Sequence, residues 1–328
     1  MSTTEEFDPA LDEAVREVVT HLPRPRAGKD LTRTDAFRAQ WNTAVELGWT
    51  GILDDADFTD PGSPESRELL DAACGAVTAL ARAGFALPLR QTLVARYATA
   101  EALPADAIAV HPTAYGVWEP AATALVAADG TVSMPVDGGT ADEVDLAGRP
   151  YRLMYEMGEG GDEAGEALPR RVADVAELLL LQEILGAAEG AVAEARRYVT
   201  ERVQFGSPLI KIPAVRTIAG ELTVSLRQLD TAVHEARRRF RAGDEHSLHF
   251  ALITAREVAS AVSTEVTRAA HQLHGAMGIT EEASLHWRTK LLWADRDEGV
   301  FSRDRGLDAL PADEVELWTL TTPARAGT

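Results

Sequence analysis

Tyr198-Val-Thr-Glu-Arg202-Val-Gln204-Phe205-Gly206-Ser-Pro208-Leu209 closes one long helical pattern and leads into another. Upstream of it, Leu178, Leu181, Leu185, Ala188, Val192, Ala195 and Val199 recur at alternating steps of three and four, which is the apolar face of an amphipathic helix. Downstream, Pro213 opens the next helix at a position where a missing amide hydrogen costs nothing. Ile218, Leu222, Leu226, Leu229, Val233, Ala236 and Phe240 then continue the same spacing. A third face, Leu248, Leu252, Ala255, Val258, Val262, Val266, Ala269 and Leu273, runs into Gln272-Leu-His-Gly275-Ala276-Met-Gly278-Ile-Thr280-Glu281. Thr280 is expected to cap a fourth helix, with Glu281 and Glu282 in its first turn, where their charges suit the helix dipole. Four long helices with short connections predict an up-down bundle over residues 172–328.

The residues at the two helix ends have chemistry of their own. A guanidinium can meet diphosphate oxygens with two parallel hydrogen bonds, so Arg202 suits a dinucleotide; Gln204 adds amide donors and Phe205 a ring to lie against adenine or flavin. The plain alternative is that Arg202 pairs with a neighbouring acid and Phe205 is core. Gly275 and Gly278 permit close backbone approach, and a helix starting after Gly278 would offer free amide hydrogens to a phosphate. A glycine turn between two helices needs no ligand, however, and on spacing alone both readings stay open. His271, His274 and His286, and likewise His246 and His249 flanking a loop, lack the carboxylate or thiolate that would complete a metal set, so no metal is expected.

Before residue 105 the chain reads as helices, here taken as an N-terminal helical domain, 1–104. Leu11, Val15, Val18 and Val19 share a face that Pro23 and Pro25 end. Phe37, Trp41, Val45 and Leu47 repeat the pattern up to Gly48, and a further helix runs from Glu65 to Ala83, stopped by Gly84. Residues 105–171 switch to short strands: alternation in Ala107-Ile-Ala-Val110, a hairpin turning at Asp129-Gly130 between Ala124–Val126 and Thr131–Met134, and Tyr151, Leu153, Tyr155. An acidic link follows at Gly158–Gly165.

The net charge of −20, from 52 acidic and 32 basic residues, argues against a nucleic-acid partner. The basic run Arg237-Arg-Arg-Phe-Arg241 is read as a solvated helix end favouring the negative pole of the dipole. Cys74, the single cysteine, excludes an internal disulfide and sits in an apolar run as a small buried residue. No apolar run approaches the roughly 18 residues of a membrane span, and the first residues lack the pattern of an export signal, so a cytoplasmic location is expected.

Taken together, Arg202-Val-Gln-Phe-Gly206 and Gln272-Leu-His-Gly-Ala-Met-Gly-Ile-Thr-Glu281 resemble the paired signature of the acyl-CoA dehydrogenase family, R-x-Q-F-G and Q-x-x-G-x-x-G-x-T-x-E. The resemblance implies a mostly α fold with an N-terminal helical domain, a reduced middle β module and a C-terminal four-helix bundle. It also implies that Arg202, Gln204, Phe205, Gln272 and Gly275 help bind the FAD of a neighbouring subunit, with Ala276 standing where a second glycine is usual.

The departures narrow that expectation. The family's T-E-P-x-x-G-S-D and W-I-T-N-G segments, which contact flavin and acyl-CoA, are missing from a shortened β module. An ungapped alignment puts Gly299 where the commonest catalytic glutamate stands, with Glu298 one residue away, a rotation of about 100° on a helix. The family's other base position falls near Ala176, again with a glutamate, Glu177, offset by one. Glu298 is therefore only a weak candidate base, with a solvated or salt-bridged role as the default. The chain resembles the short subunit of heteromeric (α2β2) acyl-CoA dehydrogenases of the steroid side-chain type. It would donate the ADP-binding half of the FAD site, while a homologous partner supplies the base and an acyl-CoA is desaturated between Cα and Cβ. The alternatives are a helical scaffold that has lost the cofactor and a self-sufficient flavoenzyme using Glu298.

Overall fold

The computed structural model describes residues 18–19, 21–24, 30–111, 115–135, 143–153, 169–280 and 282–301, the last three as backbone. Leu11, Val15, Tyr155, Glu281 and the Gly158–Gly165 link lie outside the described residues. The N-terminal helices are α1 (Asp35–Glu46), α2 (Pro64–Ala83) and α3 (Leu89–Ala98). Thr34 and Ser63 cap the first two by accepting from Phe37 and Ser66 N–H at 3.1 Å, and Pro64 occupies the first turn of α2. Gly48 and Gly84 stop them in the left-handed region, at φ 72° and 81°. Phe37, Trp41 and Cys74 are buried as expected, whereas Leu47 at the end of α1 is exposed. Burial pushes the Cys74 thiol up to about 11, which leaves it a packing residue rather than a nucleophile.

Two small sheets follow. β1 (Ala109–Val110) pairs in parallel with β3 (Ala124–Val126), which turns through Gly130 (φ 84°) into antiparallel β4 (Val132–Ser133). β2 (Tyr115–Val117) pairs with β5 (Tyr151–Leu153). The Asp129-Gly130 hairpin is the predicted one; the parallel β1–β3 pairing had no signature in the sequence.

The bundle consists of α4 (Arg170–Glu201), α5 (Pro213–Arg241), α6 (Glu245–His274) and α7 (Leu285–Phe301). Helix α4 is the axis of the molecule and packs against α2, α3, α5, α6 and α7. All seven residues of its predicted face are buried, and so are Leu179, Leu180, Ile184 and Ala187 on other sides. Each buried leucine contributes about 1.5–3 kcal/mol relative to exposure. Gly186 and Gly190 face α2, where a Cβ would overlap the Thr78 and Arg82 carbonyl oxygens. Two small residues one turn apart thus set the closeness of the α2–α4 contact.

Three expectations need correction. Thr280 does not cap α7: its hydroxyl donates to Met277 O, the turn Gly275–Ile279 is a 3-10 segment, and the helix starts five residues later at Leu285. Glu282 accordingly precedes the helix. The Arg237–Arg241 run is not simply solvated, since Arg237 is buried, Arg237 and Arg241 pair with Asp71 of α2, and Arg238 and Arg239 pair with Glu235. Asp71 is supplied by tertiary packing, which the local run of arginines could not reveal, whereas Glu235 lies on the same helix at i,i+3 and i,i+4 spacing. His246 and His249 stand in the first turns of α6 rather than beside a loop. Among the described residues no helix is long and apolar enough to cross a membrane.

Candidate functional site

Helix α4 ends at Arg202, whose backbone N–H still bonds Tyr198 O at 2.8 Å while its φ and ψ have turned to extended values. A two-stranded hairpin follows, β6 (Val203–Gln204) against β7 (Ser207–Pro208), closed by Leu209 N–H donating to Arg202 O at 2.9 Å. Its tip is Phe205-Gly206, both with positive φ (53° and 80°), the pattern of a tight two-residue hairpin turn. A bulky side chain in that region costs on the order of 1–2 kcal/mol, and Phe205 gets nothing back within the chain because it is 93% exposed. Arg202 and Gln204 are exposed as well, and no described residue accepts or donates a hydrogen bond to either side chain. The plain alternative of a paired arginine and a core phenylalanine is therefore not what this chain does with them.

Helix α6 ends beside the same place. The His274 ring stacks on Tyr198 with centroids 4.4 Å apart, four residues before Arg202, and its Nδ1 meets Ala270 O at 2.8 Å. Gln272 is exposed; its Oε1 accepts from Arg268 at 3.3 Å, and its amide nitrogen is left without a described partner. Gly275 turns the chain at φ 57° with open space where a Cβ would stand, and Ala276 is exposed after it. Gly278 is different: it packs under His274, whose Cβ a side chain would meet at 2.9 Å. Because α7 begins only at Leu285, no helix N-terminus adjoins Gly278, and the phosphate-binding amides expected there are not supplied by a helix. Met277 and Ile279 project from the turn, Ile279 at 83% exposure. His271 Nε2 and Thr289 Oγ1 are 3.0 Å apart, His286 Nδ1 lies 2.8 Å from Ala283 O, and no three metal-ligating side chains gather among the described residues. Burial holds His271 below the usual histidine range.

Glu298 lies elsewhere, in the interior. Both of its oxygens accept from Arg90 Nη2 at 2.8 Å, and Arg149 Nη2 is 3.6 Å away. Arg90 also donates to Glu183 at 2.7 Å, and Arg149 to Asp145 at 2.6 Å and Asp295 at 2.5 Å. Burial would lower both arginines, but the surrounding carboxylates outweigh it and hold them above the ordinary range. Burial, followed by the charge of Glu183, raises Asp295 well above the ordinary carboxylate range. Of these residues sequence reasoning singled out only Glu298; Arg90 and Arg149 had no signal in their local context. Glu177, one residue from the family's other base position, is taken up by Arg256 at 2.7 Å.

The exposed donors and the buried carboxylate are thus far apart. Glu183 and Arg202 are nineteen positions apart on α4, about 28 Å along a helix axis. The arrangement offers an outward-facing set of cation, amides, ring and open glycine backbone, chemically suited to the diphosphate and ring of a dinucleotide.

Residues 173–293 match the family model described as acyl-CoA dehydrogenase, C-terminal domain. A short-chain-specific acyl-CoA dehydrogenase of Megasphaera elsdenii is 27% identical over 143 residues, which span 44% of this chain and only 37% of that relative. Among solved structures, the ChsE4-ChsE5 complex of Mycobacterium tuberculosis superposes with a TM-score of 0.69 at 17% identity, covering 99% of this chain and 100% of that one. The Tcur3481-Tcur3483 steroid ACAD, as a G363A variant, gives 0.66 at 18% identity, with 91% and 97% covered. The fold is therefore the mostly helical, acyl-CoA dehydrogenase-like one that the resemblance implied.

Proposed function

We propose that this chain is the cofactor-donating subunit of an FAD-dependent acyl-CoA dehydrogenase, paired with a homologous subunit in an α2β2 assembly. The observation that carries the reading is that Arg202, Gln204 and Phe205 face outward with no partner among the described residues, while the weak candidate base Glu298 is held by Arg90 in the interior. A hairpin that keeps Phe205 at positive φ and 93% exposure is built to be covered by something else. FAD fits the residues present: Arg202 would grip the diphosphate, Gln204 and Gln272 would donate to it, Phe205 would lie on a ring, and Gly275 and Ala276 would let the backbone approach closely.

Bound FAD would supply the acceptor for the hydride leaving Cβ of the thioester, while a carboxylate takes the proton from Cα and an enoyl-CoA results. In this reading the carboxylate is the partner's, and this chain orients and shields the cofactor. The name of the Tcur3481-Tcur3483 steroid ACAD supports a bulky, steroid-like acyl group as the substrate class. A cytoplasmic location belongs to the same proposal. The division into a helical domain 1–104, a β module 105–171 and a bundle 172–328 belongs to the same proposal.

Purification of the chain alone and with a co-expressed homologous partner, followed by native mass and visible absorbance, tests it. The expected result is a colourless or weakly coloured lone chain and a yellow heterotetramer that loses flavin with Arg202→Ala. Stoichiometric flavin and turnover on the lone chain, or a colourless heterotetramer, would overturn it.

A further inference from the structure

The cluster around Glu298 draws on every part of the chain: Arg90 from α3, Asp145 and Arg149 from the turn before β5, Glu183 from α4, and Asp295 and Glu298 from α7. Its side chains are nearly sealed, Arg149 at 1% and Asp295 at 0% exposure, with Glu298 the most open at 18%. Four carboxylates face two guanidinium groups. Asp295 Oδ2 has no hydrogen-bond partner, and Arg149 Nη2 makes none within bonding distance. A general base needs a lone pair free to meet a substrate proton, and Glu298 directs both oxygens to Arg90. The cavity near α7, 10 Å³ in volume, is lined by Arg24, Gln40, Phe85, Trp287 and Lys290 among others and by none of the six. It has room for about one water, against the roughly 300 Å³ or more of a ligand pocket.

We propose that these six residues form a charge clamp joining the three parts of the chain, in which Glu298 is a counter-ion of Arg90 and has no role as a base. The proposal deepens the reading above, in which the base is the partner's. Its physical consequence is an asymmetry. Carboxylates are in excess, so one can lose its charge at little cost, whereas loss of an arginine leaves buried carboxylates facing one another.

Thermal unfolding of the full chain tests this with Glu298→Gln, Arg90→Gln and the double variant. Glu298→Gln is expected to shift Tm by no more than about 2 °C, Arg90→Gln to lower it by roughly 5 °C or more, and the double variant to regain part of that loss. Equal losses that simply add would overturn the clamp. In the co-expressed complex, Glu298→Gln should leave turnover within about two-fold. A fall of about a hundred-fold or more, with Tm and flavin retained, would make Glu298 a base and overturn the proposal. If the complex holds no flavin, the partner reading fails and the unfolding cycle on the chain alone still decides the clamp.

Discussion

Gly190 of α4 lies against the Arg82 carbonyl oxygen at the end of α2, so closely that no side-chain carbon fits between them. The same oxygen accepts from Arg288 Nε of α7 at 2.7 Å, and Arg288 in turn holds Glu194 of α4 at 2.5 Å. One absent Cβ therefore lets three helices meet at a single backbone atom.

Gly190→Ala should accordingly force α2 and α4 apart and break that junction. A loss of about 1–3 kcal/mol or more is expected from the urea midpoint, since backbone and a packed guanidinium must give way. Gly220 in α5 is the matched control: it is exposed, a Cβ there meets nothing within 4 Å, and Gly220→Ala should stabilise by about 0.5–1 kcal/mol. Similar effects at the two sites would refute the close-approach account.

Asp174, in the first turns of α4, is pushed up to about 6 by burial, only partly opposed by Arg170 and Arg171. Such an acid keeps in the folded state a proton that the unfolded chain has lost above its ordinary value of 3.8. The folded state's advantage is therefore complete below about pH 4 and is lost as pH rises through about 6, a penalty of about 3 kcal/mol at neutral pH. Asp174→Asn should flatten stability between pH 4 and 6 and raise it at pH 7. An unchanged pH profile in the variant would remove Asp174 as its source.

Phe205 separates assembly from folding. Because Phe205 is 93% exposed and its backbone is left-handed, Phe205→Asn should leave the lone chain as stable as before, or more stable by about 0.5–1 kcal/mol. The heterotetramer should meanwhile hold flavin less well, read as absorbance remaining after gel filtration. Undiminished retention would mean that the ring is not covered by a cofactor or partner.

Much of this architecture was legible because it is periodic. Leu178 to Val199 repeats at helical spacing and is buried throughout, and Asp129-Gly130 announces its hairpin by turn chemistry. The Arg202 and Gln272 segments were legible as chemistry, and that they end neighbouring helices followed from the bundle pattern. Helix α3 was harder to find: Leu89, Arg90, Leu93, Val94 and Arg96 are all buried, so no apolar stripe marks a face. The clamp was out of reach for another reason. Arg90 finds Glu298 across 208 positions and Arg149 finds Asp295 across 146, and nothing local distinguishes those arginines from surface ones. Thr280 misled because a threonine followed by two glutamates looks like a helix start, whereas Thr280 closes a 3-10 turn and the helix begins only at Leu285.

Helix α4 runs unbroken for 32 residues, gripped by α2 near its middle at Gly186 and Gly190. With the midpoint of that grip as a fulcrum, Arg202 stands about 21 Å along one arm and Glu183 about 7 Å along the other. A sideways push on the hairpin during docking would reach Glu183 reversed in direction and at about a third of the amplitude, so the outer end of this lever and the interior of the chain move together.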